Sequence, residues 1–235
     1  GAGINTVYAG AGDDTVYAGA GNDIIYGGGG NDTLYGGAGT DTLYGDAGND
    51  VFYTGTGTGT YYGGAGNDSM HADWDGDASA GTYYGGDGND EIVANAANDI
   101  IYGGEGQNDI YGGGGNDTIY MNGTDATVSD YAYGGADNDT ITGGASIDYI
   151  YGGAGTDTLY GAGAADFIYS GIDGSTLYGG DANDTLSGGA GIDTIYGDAG
   201  DDTITGAAGA DILSGGAGAD SIDGGAVADT LTGGT

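Results

Sequence analysis

Aspartate returns along this chain at a nearly constant step of nine residues. The positions are Asp14, Asp23, Asp32, Asp41, Asp50, Asp68, Asp90, Asp99, Asp117, Asp130, Asp139, Asp148, Asp157, Asp166, Asp184, Asp193, Asp202, Asp211, Asp220 and Asp229. A carboxylate offers hard oxygen ligands, and a regular row of them suits a hard divalent cation. Carboxylates from successive turns, joined by main-chain carbonyls of glycine-rich loops, would close an all-oxygen cage. A flexible shell of about six to eight oxygens favours calcium over magnesium, whose smaller ion demands a tighter octahedron. The expected cofactor is Ca2+, many ions per chain.

The rest of the composition narrows the partners. The 235 residues include 61 Gly and no Pro, Cys, Lys or Arg, against 36 Asp plus Glu, so the formal charge is -36. Self-repulsion of that size swells a compact chain, and charge alone would suggest disorder. The acids are spaced between apolar residues, however, which is the pattern of a site. About one calcium between each pair of adjacent turns would roughly cancel the charge. Without Lys or Arg there is no cation for phosphates, so nucleic acid is excluded as a partner, as is attraction to anionic lipid. No stretch approaches the roughly 18 apolar residues of a membrane span, so no membrane insertion is expected. The chain opens and closes inside a repeat with no initiator Met or signal peptide, and reads as an excerpt or processed piece.

The elements that must position the acids come from one phrase, numbered 1 to 9 as G-G-x-G-x-D-x-U-x, with U apolar. Gly27 to Tyr35, Gly36 to Tyr44 and Gly152 to Tyr160 fit it throughout, and weaker copies fill nearly all the remainder. Position 8 carries Val16, Ile25, Leu34, Leu43, Phe52, Ile119, Leu159, Ile168, Leu186, Ile195, Ile204, Leu213 and Leu231. A strand over positions 7 to 9 would point position 8 inward and its neighbours outward. Positions 1 to 6 are expected to be turn, with glycine supplying left-handed backbone angles. Two phrases make one coil, and roughly 13 coils at a spacing of about 4.8 Å would stack to about 60 Å. The apolar core would be thin, which leaves cation binding to supply stability.

The phrase resembles the glycine-rich nonapeptide of the RTX (repeats-in-toxin) proteins, the hemolysin-type calcium-binding repeat, over almost the whole chain. The resemblance implies an all-β fold, a right-handed parallel β-roll with two nine-residue repeats per coil and calcium in the turns. It also implies type I secretion, an extracellular or cell-surface location, and folding where calcium is abundant. One continuous roll over 1–235 is expected, with bulged turns near 72–84 and 121–133, where two phrases carry extra residues. Position 6 departs from Asp at Asn5, Gly59, Gly81, Asn108 and Ser175. The turns at Gly59, Gly81 and Ser175 are expected to bind calcium weakly or not at all. His71 and Trp74, each single in the chain, fall at the first bulge: either a loop that patches a missing ion site or a small recognition spot.

Position 9 is tyrosine again and again. Tyr17, Tyr26, Tyr35, Tyr44, Tyr53, Tyr62, Tyr102, Tyr111, Tyr120, Tyr151, Tyr160, Tyr169 and Tyr178 are the candidate interaction surface, beside outward threonines at position 7. β-Propensity and stacking along a sheet account for such a column on structural grounds alone. The functional alternative is an exposed aromatic strip for lateral packing of chains or for cell-surface glycans.

With one His and no Cys, no catalytic constellation is visible, so the chain is not expected to be an enzyme. The leading expectation is a secreted calcium-binding structural protein that forms or extends a fibre, surface layer or adhesin stalk. Self-association, or continuation of the stack by another segment, is the partner implied. The alternatives are a calcium-responsive module of a larger toxin or exoenzyme, and a glycan-binding segment. An ice-binding row would need Thr at position 3, which only Thr56-Gly57-Thr58 approaches.

Overall fold

Thr33–Ala38, with sequence TLYGGA, shows how one phrase becomes one strand. Inward and outward positions alternate, so Leu34 and Gly36 are buried while Thr33, Tyr35 and Gly37 are half-buried. The computed structural model describes residues 3–72, 79–125 and 127–235, and among these there is no helix. The full strands run on from positions 7 to 9 into positions 1 to 3 of the next phrase. This corrects the expectation that positions 1 to 6 are all turn. The physical reason is that Gly19 and Ala20 continue the parallel ladder with Gly37 and Ala38. Only positions 4 to 6 remain to reverse the chain.

The chain divides into two compact units, Gly1–Thr118 and Ile119–Thr235. Each is a parallel β-solenoid with two sheets. In the first, one sheet stacks Thr6–Ala11, Ile24–Gly29, Asp41–Ala47, Gly59–Ala65, Gly81–Asp87 and Ile100–Glu105 in that order. The other stacks Thr15–Ala20, Thr33–Ala38, Val51–Tyr53, Ser69–His71, Glu91–Val93 and Asp109–Gly114. In the second unit one sheet runs from Thr140–Thr142 through Thr158–Gly163, Thr176–Asp181, Thr194–Ala199 and Ile212–Ala217 to Thr230–Gly234. Its partner runs from Ser129–Ala136 through Ile147–Ala154, Phe167–Gly171, Thr185–Gly189 and Thr203–Thr205 to Ser221–Asp223. Consecutive strands alternate between the sheets, which is why two phrases complete one coil. Identical positions therefore pair, as in Leu34↔Phe52 and Leu159↔Leu177.

The core is the expected thin row. Ile25, Leu34, Leu43, Ile150, Leu159 and Ile168 are completely buried. Of the first bulge, expected near 72–84, residues 73–78 with Trp74 lie outside those described. The step between the matched acids Asp68 and Asp90 is 22 residues, where the preceding coil from Asp50 to Asp68 takes 18. In the second bulge, Asp125 accepts hydrogen bonds through Oδ1 from the Thr127 backbone N–H at 2.9 Å and from its hydroxyl at 2.7 Å.

Glycine at positions 2 and 4 meets a backbone demand. Gly37 and Gly39 have φ of 96° and 136°, where side chains are strained. Some phrases place other residues there: Ala162 and Ala207 at position 2, Ala182 and Val227 at position 4, with φ between 71° and 84°. Left-handed geometry costs an L-residue about 1–2 kcal/mol, and a β-branched one more. Val227→Gly and Ala162→Gly are each expected to stabilise the calcium-loaded protein by about 1 kcal/mol. Thermal melts of the single variants check this, and a loss of stability would contradict it.

Candidate metal centre

The aspartates at position 6 turn inward at the end of the turn, two residues before the buried position 8. Asp23, Asp32, Asp41, Asp50, Asp68, Asp90, Asp99, Asp117, Asp130, Asp139, Asp148, Asp157, Asp166, Asp184, Asp193, Asp202 and Asp211 are all at most 2 % exposed. Asp14, Asp220 and Asp229 are half-buried.

The two oxygens of each carboxylate have different surroundings. Oδ1 accepts the backbone N–H of the matched residue one coil earlier. Asp23 N–H donates to Asp41 Oδ1 at 2.8 Å and Asp32 N–H to Asp50 Oδ1 at 2.7 Å. Asp148 donates to Asp166 and Asp166 to Asp184, both at 2.8 Å. Position 5 adds a second ladder in the opposite sense, where Asn49 N–H donates to Asn31 Oδ1 at 2.8 Å and Asn67 N–H to Asn49 Oδ1 at 2.9 Å. Together they fix the turns in register.

Oδ2 of Asp23, Asp32, Asp50, Asp68, Asp90, Asp157, Asp166, Asp184, Asp193, Asp202 and Asp211 is buried with no hydrogen-bond partner. A buried anionic oxygen without a partner costs several kcal/mol, on the order of the desolvation penalty of the ion. The chain has no Lys or Arg to neutralise it. Burial raises several of the position-6 carboxyls: Asp68 and Asp184 to about 7, Asp166 to about 8, and Asp90, Asp148 and Asp193 to about 6.

Glycine at position 1 completes the cradle. It is not a left-handed position. Its Cα faces the carboxylate of its own phrase and a carbonyl of the next coil. A methyl group added at Gly27 would overlap Asp32 Oδ2 and the Gly45 carbonyl oxygen, and one at Gly161 would overlap Asp166 Oδ2 and the Gly179 carbonyl oxygen. A carboxylate oxygen and a carbonyl oxygen thus converge on a space that only glycine leaves open. Among the described residues no three acidic or histidine side chains gather into a site by themselves. Main-chain oxygens must therefore supply part of any shell. These donors fit calcium: they are hard oxygens, partly carbonyl, in a turn that repeats coil by coil. When bound, the ion supplies the positive charge that the Oδ2 row lacks.

Sequence reasoning missed that some turns satisfy Oδ2 from within. Gly144 N–H donates to Asp148 Oδ2 at 2.7 Å, and Asn95 N–H reaches Asp99 Oδ2 at 3.3 Å. Ser146, standing where glycine is usual at position 4, bridges Asp130 Oδ2 and Asp148 Oδ1 at 2.9 Å each. At the departures, Ser175 keeps the ladder by accepting the Asp157 N–H at 3.0 Å, and Asn108 by accepting that of Asp90 at 3.0 Å.

The tyrosines of position 9 face outward and stack. Tyr8, Tyr26, Tyr44, Tyr62, Tyr84 and Tyr102 form one column with neighbouring centroids 4.7–4.9 Å apart. Tyr17, Tyr35 and Tyr53 form another, which His71 continues by stacking on Tyr53. The lone histidine thus stands in a tyrosine's place. In the second unit Tyr133, Tyr151 and Tyr169 stack beside a column that sequence reasoning did not find: Tyr131, Tyr149 and Phe167 at position 7. Its signal was available, as aromatics at the step of 18 residues in place of threonine. Stacking is the arrangement expected on structural grounds alone. Ring faces cover one another, so Tyr17 is 70 % exposed while Tyr35, further along the same column, is half-buried.

The model of the RTX calcium-binding nonapeptide repeat matches residues 1–34, 26–61, 62–78, 84–119, 133–168, 142–177, 178–213 and 205–235. A search of the curated proteins gives no significant match.

Proposed function

The chain belongs to the family of RTX calcium-binding nonapeptide repeats. On that premise we propose that it is a non-enzymatic, calcium-stiffened structural segment of an extracellular fibre, surface layer or adhesin stalk. The observation that carries this reading is the row of buried, partnerless Asp Oδ2 atoms along both units. Such a row makes sense as a ligand set repeated for stiffness along successive coils. A chain with one His and no Cys, Lys or Arg has little else for acid–base or nucleophilic chemistry. Export by a type I system, with folding in external calcium, agrees with carboxylates that repel one another until an ion arrives.

The tyrosine columns support lateral self-association. They present ring edges and hydroxyls on a flat sheet face, and the bound ions would offset the charge of -36 that otherwise holds two copies apart. The same stacking counts against glycan binding through aromatic faces, because those faces are already used.

A second reading, a calcium-responsive module of a toxin or exoenzyme, is favoured by the raised carboxyl pKa values, which make the fold conditional on cation. Electron microscopy of the purified protein with calcium and with chelator separates the two. Long uniform filaments or lattices that form only with calcium are expected. Dispersed single particles at every calcium concentration would favour the module and sink the structural reading.

A further inference from the structure

In one sheet of the first unit the position-6 residues follow the order Asp23, Asp41, Gly59, Gly81, Asp99 and Asp117, and the strands keep Asp41, Gly59 and Gly81 in register. The acid row is interrupted for two coils. Both glycines are followed two residues later by an inward tyrosine. Tyr61 and Tyr83 are each 1 % exposed, and their rings stack with centroids 5.2 Å apart.

Each phenol lies where the missing side chain would go. A Cβ added at Gly59 would overlap Tyr61 Oη and Cζ, and one at Gly81 would overlap Tyr83 Oη and Cζ. Position 1 of the same phrases has changed too. Thr54 and Ala72 stand where glycine usually leaves the cradle open, and both are buried. The carboxylate, the open glycine and the free space are thus lost together, in both phrases. On the opposite sheet, beside these coils, lie Phe52 and Met70, so the three largest fully buried side chains among the described residues, Tyr61, Tyr83 and Phe52, are gathered here. The ladder is kept, since Gly81 N–H still donates to Asp99 Oδ1.

We propose that Tyr61 and Tyr83 are built-in plugs: their phenols replace the carboxylate and its cation, and they close this part of the row to calcium. The inference rests on the reading that calcium fills the aspartate cradles elsewhere. The plugs decide which coils take an ion and which are held by an apolar core in its absence.

Two measurements test it. In crystals of the full chain grown with calcium, anomalous scattering is expected to show ions beside Asp32 and Asp50 and none beside Gly59 or Gly81. An ion within bonding distance of either phenol would overturn the plugs while leaving the cradles intact. No ion anywhere would instead overturn the calcium reading on which the plugs depend. In solution, the sixfold variant Thr54→Gly, Gly59→Asp, Tyr61→Leu, Ala72→Gly, Gly81→Asp, Tyr83→Leu restores the common phrase at positions 1, 6 and 8. Equilibrium dialysis of the folded variant is expected to show about two more calcium ions per chain than the parent. An unchanged count in a variant that keeps its β signal would overturn the proposal. The crystallographic arm decides the matter if the variant does not fold.

Discussion

In excess chelator the β signal in circular dichroism is expected to vanish at about pH 9 and to return as the solution is acidified to about pH 5. The sign follows from the buried carboxyls. Burial lifts Asp166 from the ordinary 3.8 to about 8, Asp68 and Asp184 to about 7, and Asp90, Asp148 and Asp193 to about 6. Asp41, Asp50, Asp157 and Asp202 are raised for the same first cause. With folded values above unfolded ones, the native state binds more protons, so stability falls as pH rises. The calcium-free fold is at its best near or below the unfolded value, loses stability across the interval from about 4 to about 8, and is level above it. A proton on Oδ2 does in part what an ion does, by removing the buried charge. With saturating calcium the order reverses, because acid competes with the ion for the same oxygens. A chelated protein that stays folded at about pH 9 would remove the cage. A chelated protein that is no more folded in acid would show that charge burial is not what calcium relieves.

Much of this was legible in the sequence, and what was not has a physical explanation. The inward place of Leu34 follows from a strand period of two once position 8 is known to be core; that of Asp32 does not, because position 6 reads as turn. The strand length did not follow. Glycine carries a prior for turns, and nothing in Gly36-Gly37-Ala38 announces a ladder until the matched phrase one coil away is laid beside it. Nor did the sequence separate two kinds of glycine. Gly37 is needed for its backbone angle, while Gly36 is needed because a methyl would strike Asp41 Oδ2 and the Thr54 carbonyl oxygen. The residue letter is the same, and only the geometry distinguishes the demands. Tyr61 and Tyr83 were hidden by the abundance of tyrosine at position 9. Each sits directly before a column member, Tyr62 or Tyr84, yet points the opposite way. The clue was Gly59 and Gly81 at position 6, which reads fully only when the phenol is seen in the vacated volume.

The distinction between the glycines leads to the sharpest expected difference between two small substitutions. Gly45 stands at position 1, where a methyl would overlap Asp50 Oδ2 and meet the Gly63 carbonyl oxygen at 2.6 Å. Gly29 stands at position 3 of a neighbouring strand in the same sheet, where a methyl has nothing within 4 Å and no left-handed angle to adopt. Both changes remove the same backbone freedom from the unfolded chain, so that contribution is shared and slightly stabilising. Only Gly45→Ala intrudes on the oxygens that would hold an ion. In saturating calcium it is expected to cost about 3 kcal/mol, combining overpacking with a lost or weakened ion. Gly29→Ala is expected to change stability by less than about 0.5 kcal/mol or to raise it slightly. Calorimetric melts measure the cost, and a calcium titration of each variant shows whether the stoichiometry falls with it. In chelator at about pH 5, where protons replace the ion, the gap between the variants is expected to shrink toward the overpacking share alone, about 1–2 kcal/mol. If the two variants melt alike in calcium, the glycine at position 1 is not reserving room for an ion, and the oxygens gathered beside it belong to some other purpose.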